Sequence, residues 1–60
     1  MNRQIVRGDV VAVENYQGVK WRVLSVAGDL ATLTKLHVSQ RLIYRDVAVS
    51  RLTVKESALA

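Results

Sequence analysis

Two neighbouring apolar runs at the centre of the chain predict a pair of β-strands. The runs cover residues 19–26 and 30–35, and both are rich in valine, leucine or threonine. Between them stand Gly28 and Asp29, two residue types that tolerate the positive φ angles of a tight turn. The pattern therefore predicts a β-hairpin around which the other elements are arranged.

The first of these runs changes its apolar face partway along. Trp21 and Val23, at odd positions, are apolar early in the run, whereas Leu24 and Val26, at even positions, are apolar late. Side chains alternate between the faces of a strand, so this switch indicates a bulge or a sharp bend. Small barrels close through such bends. The run is therefore predicted to be one long, bent strand.

The remaining residues are predicted to supply about three further strands. Residues 10–14 are apolar on both faces, which favours a strand inside a barrel over one on an open, wet sheet. The other predicted elements are a possible short strand or edge contact at Ile5 and Val6, a turn at 7–9, a polar loop at 14–18, an ambiguous connection at 36–40, a strand at 40–45, a single 3₁₀ turn within 46–52 and a last strand at 53–55. Asp9 and Asp29 fall in turns, where aspartate bonds to the backbone. We predict one all-β domain over residues 1–60, with a core from about 7 to 55 and frayed termini.

The length and composition restrict how such a domain is stabilised. A chain of 60 residues buries only about 60% of its unfolded surface, so small domains often add a disulfide, a metal or a partner subunit. The chain has no cysteine and one histidine, His37, which excludes disulfides, thiolate zinc sites and histidine metal clusters. We expect no metal and no cofactor, and oligomerisation remains open.

The apolar residues are too dispersed for a membrane protein. No run approaches the roughly 20 apolar residues that cross a bilayer. The first eight residues alternate apolar with polar, unlike a signal peptide. We therefore expect a cytoplasmic protein without a membrane partner.

The charge balance favours an anionic partner. Nine Lys and Arg residues, most of them Arg, stand against five Asp and Glu, for a net charge of +4. Such an excess favours nucleic acid as the partner. Arg suits phosphate better than Lys does, because its planar guanidinium can donate two hydrogen bonds to one phosphate. The alternative is a basic domain whose charges are simply solvated.

Two stretches of the chain carry a resemblance to a known fold. Residues 8–13 read G-D-V-V-A-V and are followed at 18–26 by G-V-K-W-R-V-L-S-V, which is similar to the KOW pattern. Residues 46–54, D-V-A-V-S-R-L-T-V, are similar to the ending shared by KOW, Tudor and SH3-like domains. The chain thus resembles the SH3-like small barrel, which implies about five strands with one 3₁₀ turn before the last strand. Trp21 stands where the KOW pattern has its second glycine, so the RNA-contacting loop of that family is not carried over.

Six residues are candidates for a nucleic-acid interface. Lys20 and Arg22 share a strand face opposite Trp21. The residues expected to bind phosphates are Lys20, Arg22, Arg41 and Arg45, with Arg51 close to the latter two. A base would stack on Tyr16 or Trp21. The alternatives are a solvated charged face, a core-anchoring role for Trp21, and a lid over the core for Tyr16.

A second function class stays open beside nucleic-acid binding. The strand edges and Tyr44 could instead bind a protein partner or a second copy, which would make the chain an assembly module. Neither paired carboxylates, a nucleophile motif nor a phosphate-binding glycine loop is present. We therefore expect no enzymatic activity and no small-molecule substrate, and take an accessory or regulatory nucleic-acid-binding module as the first hypothesis.

Overall fold

The protein is an antiparallel sheet of five strands with one 3₁₀ turn. The computed structural model describes residues 4–58 and, of Gln17, the backbone alone. The elements are β1 (Val10–Val13), β2 (Tyr16–Ala27), β3 (Leu30–Lys35), β4 (Ile43–Ala48), a 3₁₀ turn (Val49–Arg51) and β5 (Leu52–Glu56). The prediction of an all-β domain with a 3₁₀ turn before the last strand is confirmed.

The strand order shows how the chain encloses its core. The order is β4-β3-β2-β1-β5, so four strands follow one another as a meander and β5 returns to pair with β1. Val47 near one edge of the sheet and Leu52 and Val54 at the other edge pack against the same buried cluster. The sheet must therefore curve around its apolar face. It does not close, because β4 and β5 remain edges.

Strand β1 lies in the middle of this sheet and is buried on both faces, as its sequence predicted. Val11 and Val13 belong to the core cluster together with Val23 of β2 and Leu33 of β3. Val10 and Ala12 point to the other face and are also buried.

The predicted bend in the long strand is present. The pairing of β2 with β3 slips by one residue between Val23 and Ser25, which is the signature of a β-bulge. Val23 is buried before the slip, and Val26 packs against the core after it. The bulge therefore lets one strand face the core on odd positions first and on even positions later.

The following hairpin turn uses glycine where backbone strain requires it. Gly28 has φ +61°, and Ala27 pairs with Leu30 across the turn. The Val49 N–H of the 3₁₀ turn donates to the Asp29 carbonyl at 2.9 Å, which holds the two turns together.

The predicted polar loop at 14–18 is wrong in length. The chain reverses within a tight turn at Glu14 and Asn15, and β2 already begins at Tyr16, which pairs with Val13. Asn15 makes this possible by adopting φ +71°, a left-handed conformation that asparagine tolerates better than most residues.

Strand β4 is shifted relative to the prediction of 40–45. It begins at Ile43 and continues to Ala48, because Val47 and Ala48 pair with Ala31 and Leu30. The pairing slips by one residue on the way, and Asp46 adopts φ +57° there. The sequence pattern predicted that the strand ends before Asp46, but the left-handed conformation of Asp46 lets the strand continue. The 3₁₀ turn is confined to Val49–Arg51.

A buried aspartate fastens the two ends of the described chain. The Asp9 carboxylate accepts hydrogen bonds from the Val6 N–H at 3.0 Å and from the Ala58 N–H at 2.8 Å. The predicted turn role of Asp9 is confirmed, and Ile5 packs on the core without forming a strand. The hydrogen-bonded chain reaches Ala58, beyond the predicted boundary at 55. The predicted fraying of 1–3 and 59–60 lies outside the described residues.

Candidate nucleic-acid interface

The strand register places the predicted phosphate-binding residues on one face of the sheet. Arg22 of β2 lies opposite Thr34 of β3, and Thr34 lies opposite Ile43 of β4. Residues directly opposite each other in an antiparallel sheet share a face, and so do residues two positions apart along a regular strand. Arg45 therefore shares the face of Ile43. Lys20 joins the face of Arg22 through its ion pair with Glu56, since Glu56 and Arg22 both lie opposite Val10. This is the face opposite the core.

Arg41 precedes β4 but belongs to the same surface. A shallow depression of about 620 Å³ opens beside Arg41 and Arg45. Its lining residues are Leu24, Ser25, Thr32, Arg41, Ile43 and Arg45. We call the four cationic residues on this side of the sheet, Lys20, Arg22, Arg41 and Arg45, the basic face.

The cations of the basic face differ in how far they are neutralised. Lys20 lies 3.6 Å from a Glu56 carboxylate oxygen, a half-exposed pair of the kind that contributes little in water. Arg22 donates a long hydrogen bond of 3.4 Å to the Gly8 carbonyl. Within residues 4–58, neither Arg41 nor Arg45 forms an ion pair. Both guanidinium groups are therefore available to an anion.

Arg51 is directed away from this surface. Its side chain pairs with Glu14 at 3.7 Å, and the Glu14 N–H donates to the Arg51 carbonyl at 2.8 Å. Both contacts tie the 3₁₀ turn to the turn between β1 and β2. The predicted grouping of Arg51 with Arg41 and Arg45 is replaced by this local pair.

Trp21 lies on the opposite face of the sheet from Lys20 and Arg22, as predicted. Its ring packs against the core cluster and contacts the Tyr44 ring, with centroids 5.7 Å apart and planes tilted by 54°. Tilted rings at this separation attract one another. The indole N–H is buried and has no acceptor among the residues described. This is the position that the core-anchoring alternative describes.

Tyr16 is exposed but does not lie on the basic face. Its side chain is 59% accessible, and the residue opens β2 beside Val13. Tyr16 lies directly opposite Val13, a core residue, so it belongs to the core side of the sheet and not to the basic face. The structure therefore groups the four cations and leaves both predicted stacking residues outside that group.

One exposed feature was not among the predicted site residues. Leu42 and Ile43 join Tyr44 in a row of exposed apolar residues at the sheet edge, between Arg41 and Arg45. Strand alternation puts Leu42 and Tyr44 on one face and Ile43 on the other, in agreement with the register of Tyr44 with Leu33 and of Ile43 with Thr34. The signal that these residues lie at an edge is weak in the sequence, since pairing partners are not encoded locally.

Metal-binding groups, membrane-spanning helices and similarity to known proteins give no functional assignment for the described part of the chain. The described part of the chain holds no group of three or more His, Cys, Asp or Glu side chains that could bind a metal ion. Among residues 4–58, no helix has the length and apolar character needed to cross a membrane. We found no significant match to the chain among protein-family models, curated proteins or solved structures. Function is therefore inferred from the residues themselves.

Proposed function

We propose that this protein is a small, non-catalytic module that binds nucleic acid, RNA or DNA, through the basic face. The observation that carries this proposal is the register that brings Arg22 and the Ile43 strand onto one side of the sheet, with Lys20, Arg41 and Arg45 beside them. A cluster of cations on one face is the electrostatic footprint of a phosphate-binding surface.

The fold proposed for this module is the SH3-like small barrel of the KOW and Tudor type. Three features support it: a meander of four strands, a last strand that returns to β1, and a 3₁₀ turn immediately before that strand. The bulged β2, which pairs with β1 in its first half and with β3 in its second, also fits. In this arrangement the basic face is the outer side of β2, β3 and β4.

The basic face would hold a phosphate backbone by charge and by hydrogen bonds. The strands that carry Arg22 and Arg45 are separated by two strand spacings, roughly 10 Å, which long side chains span easily. Arg41 and Arg45 present guanidinium forks, and the hydroxyl groups of Ser25 and Thr32 lie in the same depression. Each phosphate that is neutralised releases a counterion, so binding should weaken steeply with salt.

The placement of the aromatic rings argues for recognition of the backbone rather than the bases. Trp21 and Tyr44 lie on the core side of the sheet, and Tyr16 is at the far end of β2. Ile43, the exposed apolar side chain in the depression of the basic face, offers no ring for stacking. The proposal therefore assigns no stacking role to Trp21 or Tyr16, and we expect little dependence on base sequence.

The test is fluorescence anisotropy with labelled single-stranded RNA, single-stranded DNA and duplex DNA at about 50 and 200 mM salt. The double variant Arg41→Gln/Arg45→Gln should lower the salt slope by about 2 for a duplex, since each lost phosphate contact removes roughly one unit. The matched control is Arg51→Gln, which also removes a guanidinium but is paired with Glu14 elsewhere.

Two results would defeat the proposal. One is the absence of binding to all three oligonucleotides at the lower salt concentration. The other is equal weakening by the control and by a single Arg45→Gln variant, which would show a response to net charge alone. Circular dichroism of each variant establishes that the sheet remains folded.

A further inference from the structure

The open edge of β4 is exposed and carries apolar side chains. Every residue from 37 to 46 is exposed, including the first four residues of β4. Exposed apolar side chains lie in the middle of this stretch, with Leu42 46% and both Ile43 and Tyr44 40% accessible. The edges of β-sheets are usually shielded, because the unpaired backbone of an edge strand can pair with a strand of another chain. We call residues 41–45 the β4 edge segment.

The backbone of this segment is available for pairing at its centre. The Lys35 N–H donates to the Leu42 carbonyl at 3.1 Å, so these two residues form a hydrogen-bonded pair of the β3–β4 ladder. In an antiparallel ladder, such pairs alternate with pairs whose N–H and C=O groups point away from each other. Ile43, the next residue, therefore directs its N–H and C=O outward from the sheet.

The length of the edge is limited by the irregularity that follows it. At Asp46 the backbone adopts φ +57° and the register slips, which interrupts a regular ladder. Beyond it, Val47 turns into the core and is buried. The segment that can accept a strand is thus about five residues, or roughly 17 Å, long.

The side chains of the segment define the chemistry of an incoming strand. Leu42 and Tyr44 lie on the core side and present apolar surface, whereas Ile43 lies on the other side between two arginines. Residues of an added strand would stand opposite these side chains and interact with them pairwise. Carboxylates complement Arg41 and Arg45, and apolar or β-branched residues complement the three between them.

A second copy of the same segment fits poorly. Antiparallel self-pairing centred on Ile43 would place Arg41 directly opposite Arg45 of the other copy, twice in each pair. Like charges in directly opposite positions destabilise strand pairing. Charge complementarity therefore favours a different, acidic partner.

We propose that the β4 edge segment binds, by strand addition, an extended peptide in which two acidic residues flank three apolar or β-branched ones. Main-chain hydrogen bonds to Ile43 supply affinity, and the pairing of carboxylates with Arg41 and Arg45 supplies specificity. This surface is the edge of the sheet, and its existence does not depend on nucleic-acid binding. Because both surfaces use Arg41 and Arg45, the two ligands should compete.

The experiment uses a capped peptide containing Glu-Val-Thr-Val-Glu and a matched peptide containing Lys-Val-Thr-Val-Lys. Binding is followed by NMR of the ¹⁵N-labelled protein, together with hydrogen exchange of the Ile43 amide. The acidic peptide should bind at least about tenfold more tightly and should slow exchange at Ile43. The double variant Arg41→Glu/Arg45→Glu should reverse the preference, so that the lysine peptide binds more tightly.

Three results would overturn the proposal. The peptides bind equally, or the acidic peptide binds while exchange at Ile43 is unchanged, or Ile43 is already protected in the protein alone as its mass rises with concentration. The last would identify a second copy as the occupant. Should the charge-reversed variant not fold, Arg41→Gln/Arg45→Gln replaces it and should remove the difference between the peptides. Failure of oligonucleotide binding leaves these outcomes unaffected.

Discussion

Strands β1 and β4 each contain four apolar residues, but β4 also carries Arg45 and Asp46 and the two strands have opposite surroundings. All four residues of β1 are buried, whereas the first four residues of β4 are exposed. The difference follows from position: β1 pairs with β2 on one side and β5 on the other, and β4 pairs only with β3. Valines in the middle of the sheet build the core, and Leu42 to Tyr44 at its edge remain available to a partner. Burial therefore differs sharply between β1 and the first four residues of β4, whereas Val47 further along β4 again belongs to the core.

The comparison predicts its largest effect at Val11, which is fully buried between Trp21 and Val54. Val11→Ala should lower the free energy of unfolding by about 2–3 kcal/mol, from lost methyl burial and the cavity left behind. A domain of this size rarely has more than about 3–5 kcal/mol to lose, so the variant should be close to unfolding. Urea denaturation followed by circular dichroism measures the loss in the free energy of unfolding. A loss no larger than that caused by a substitution at an exposed position would refute the assignment of β1 to the core.

Asp9, immediately before β1, should come next. Asp9→Asn replaces one acceptor oxygen by an NH₂ donor, so either the Val6 or the Ala58 N–H loses its partner. We expect a loss of about 1–2 kcal/mol and faster hydrogen exchange at Ala58. The control is Asp29→Asn at an exposed turn, which should change stability by less than about 0.5 kcal/mol. Equal effects of the two substitutions would contradict the fastening role.

At Asp46, where the β3–β4 register slips, a substitution is expected to raise the free energy of unfolding instead of lowering it. Asp46→Gly places glycine at φ +57°, which relieves a left-handed strain of about 1–2 kcal/mol but raises the entropy of the unfolded chain. The net result should be a gain of about 0.5 kcal/mol. Asn15→Gly, at φ +71° in the turn after β1, is the matched comparison and should behave alike. A loss above 1 kcal/mol at Asp46 would mean that its side chain supports the bulge.

The smallest effect on stability is expected at Ile43. Ile43→Thr retains a β-branched residue at an exposed edge position, so the free energy of unfolding should change by less than about 0.5 kcal/mol. The same substitution should weaken binding of the acidic peptide, because apolar contact on the added strand is lost. Thermal denaturation and peptide titration of one sample separate the two properties. A large loss of stability would show that Ile43 itself contributes to the packed core.

Much of the fold was predictable because its signals are local. The Gly28 turn, the face switch between Val23 and Val26, and the two-sided apolar character of β1 each depend on neighbouring residues. The prediction failed at Asn15 and Asp46, where non-glycine residues adopt positive φ. Left-handed residues of this kind shorten a loop or extend a strand without a compositional signal.

The candidate site was predictable in part for the same reason. Alternation alone placed Lys20 and Arg22 on the strand face opposite Trp21. Which strands are edges, and that Arg51 pairs with Glu14, depend on contacts between distant parts of the chain. Because of those contacts, Arg51 lies away from the basic face and the β4 edge segment is exposed. Neither feature can be predicted from a short stretch of sequence.

The central claim is that the four cations of the basic face act as one nucleic-acid-binding surface. The most direct test is an NMR titration of the ¹⁵N-labelled protein with a short RNA and with a DNA duplex of the same length at about 50 mM salt. The account predicts that amide shifts concentrate at Lys20, Arg22, Thr34 and residues 41–45, with little change at Tyr16 and Arg51. Shifts that centre instead on Tyr16, Glu14 and Arg51, or that are absent, would contradict it.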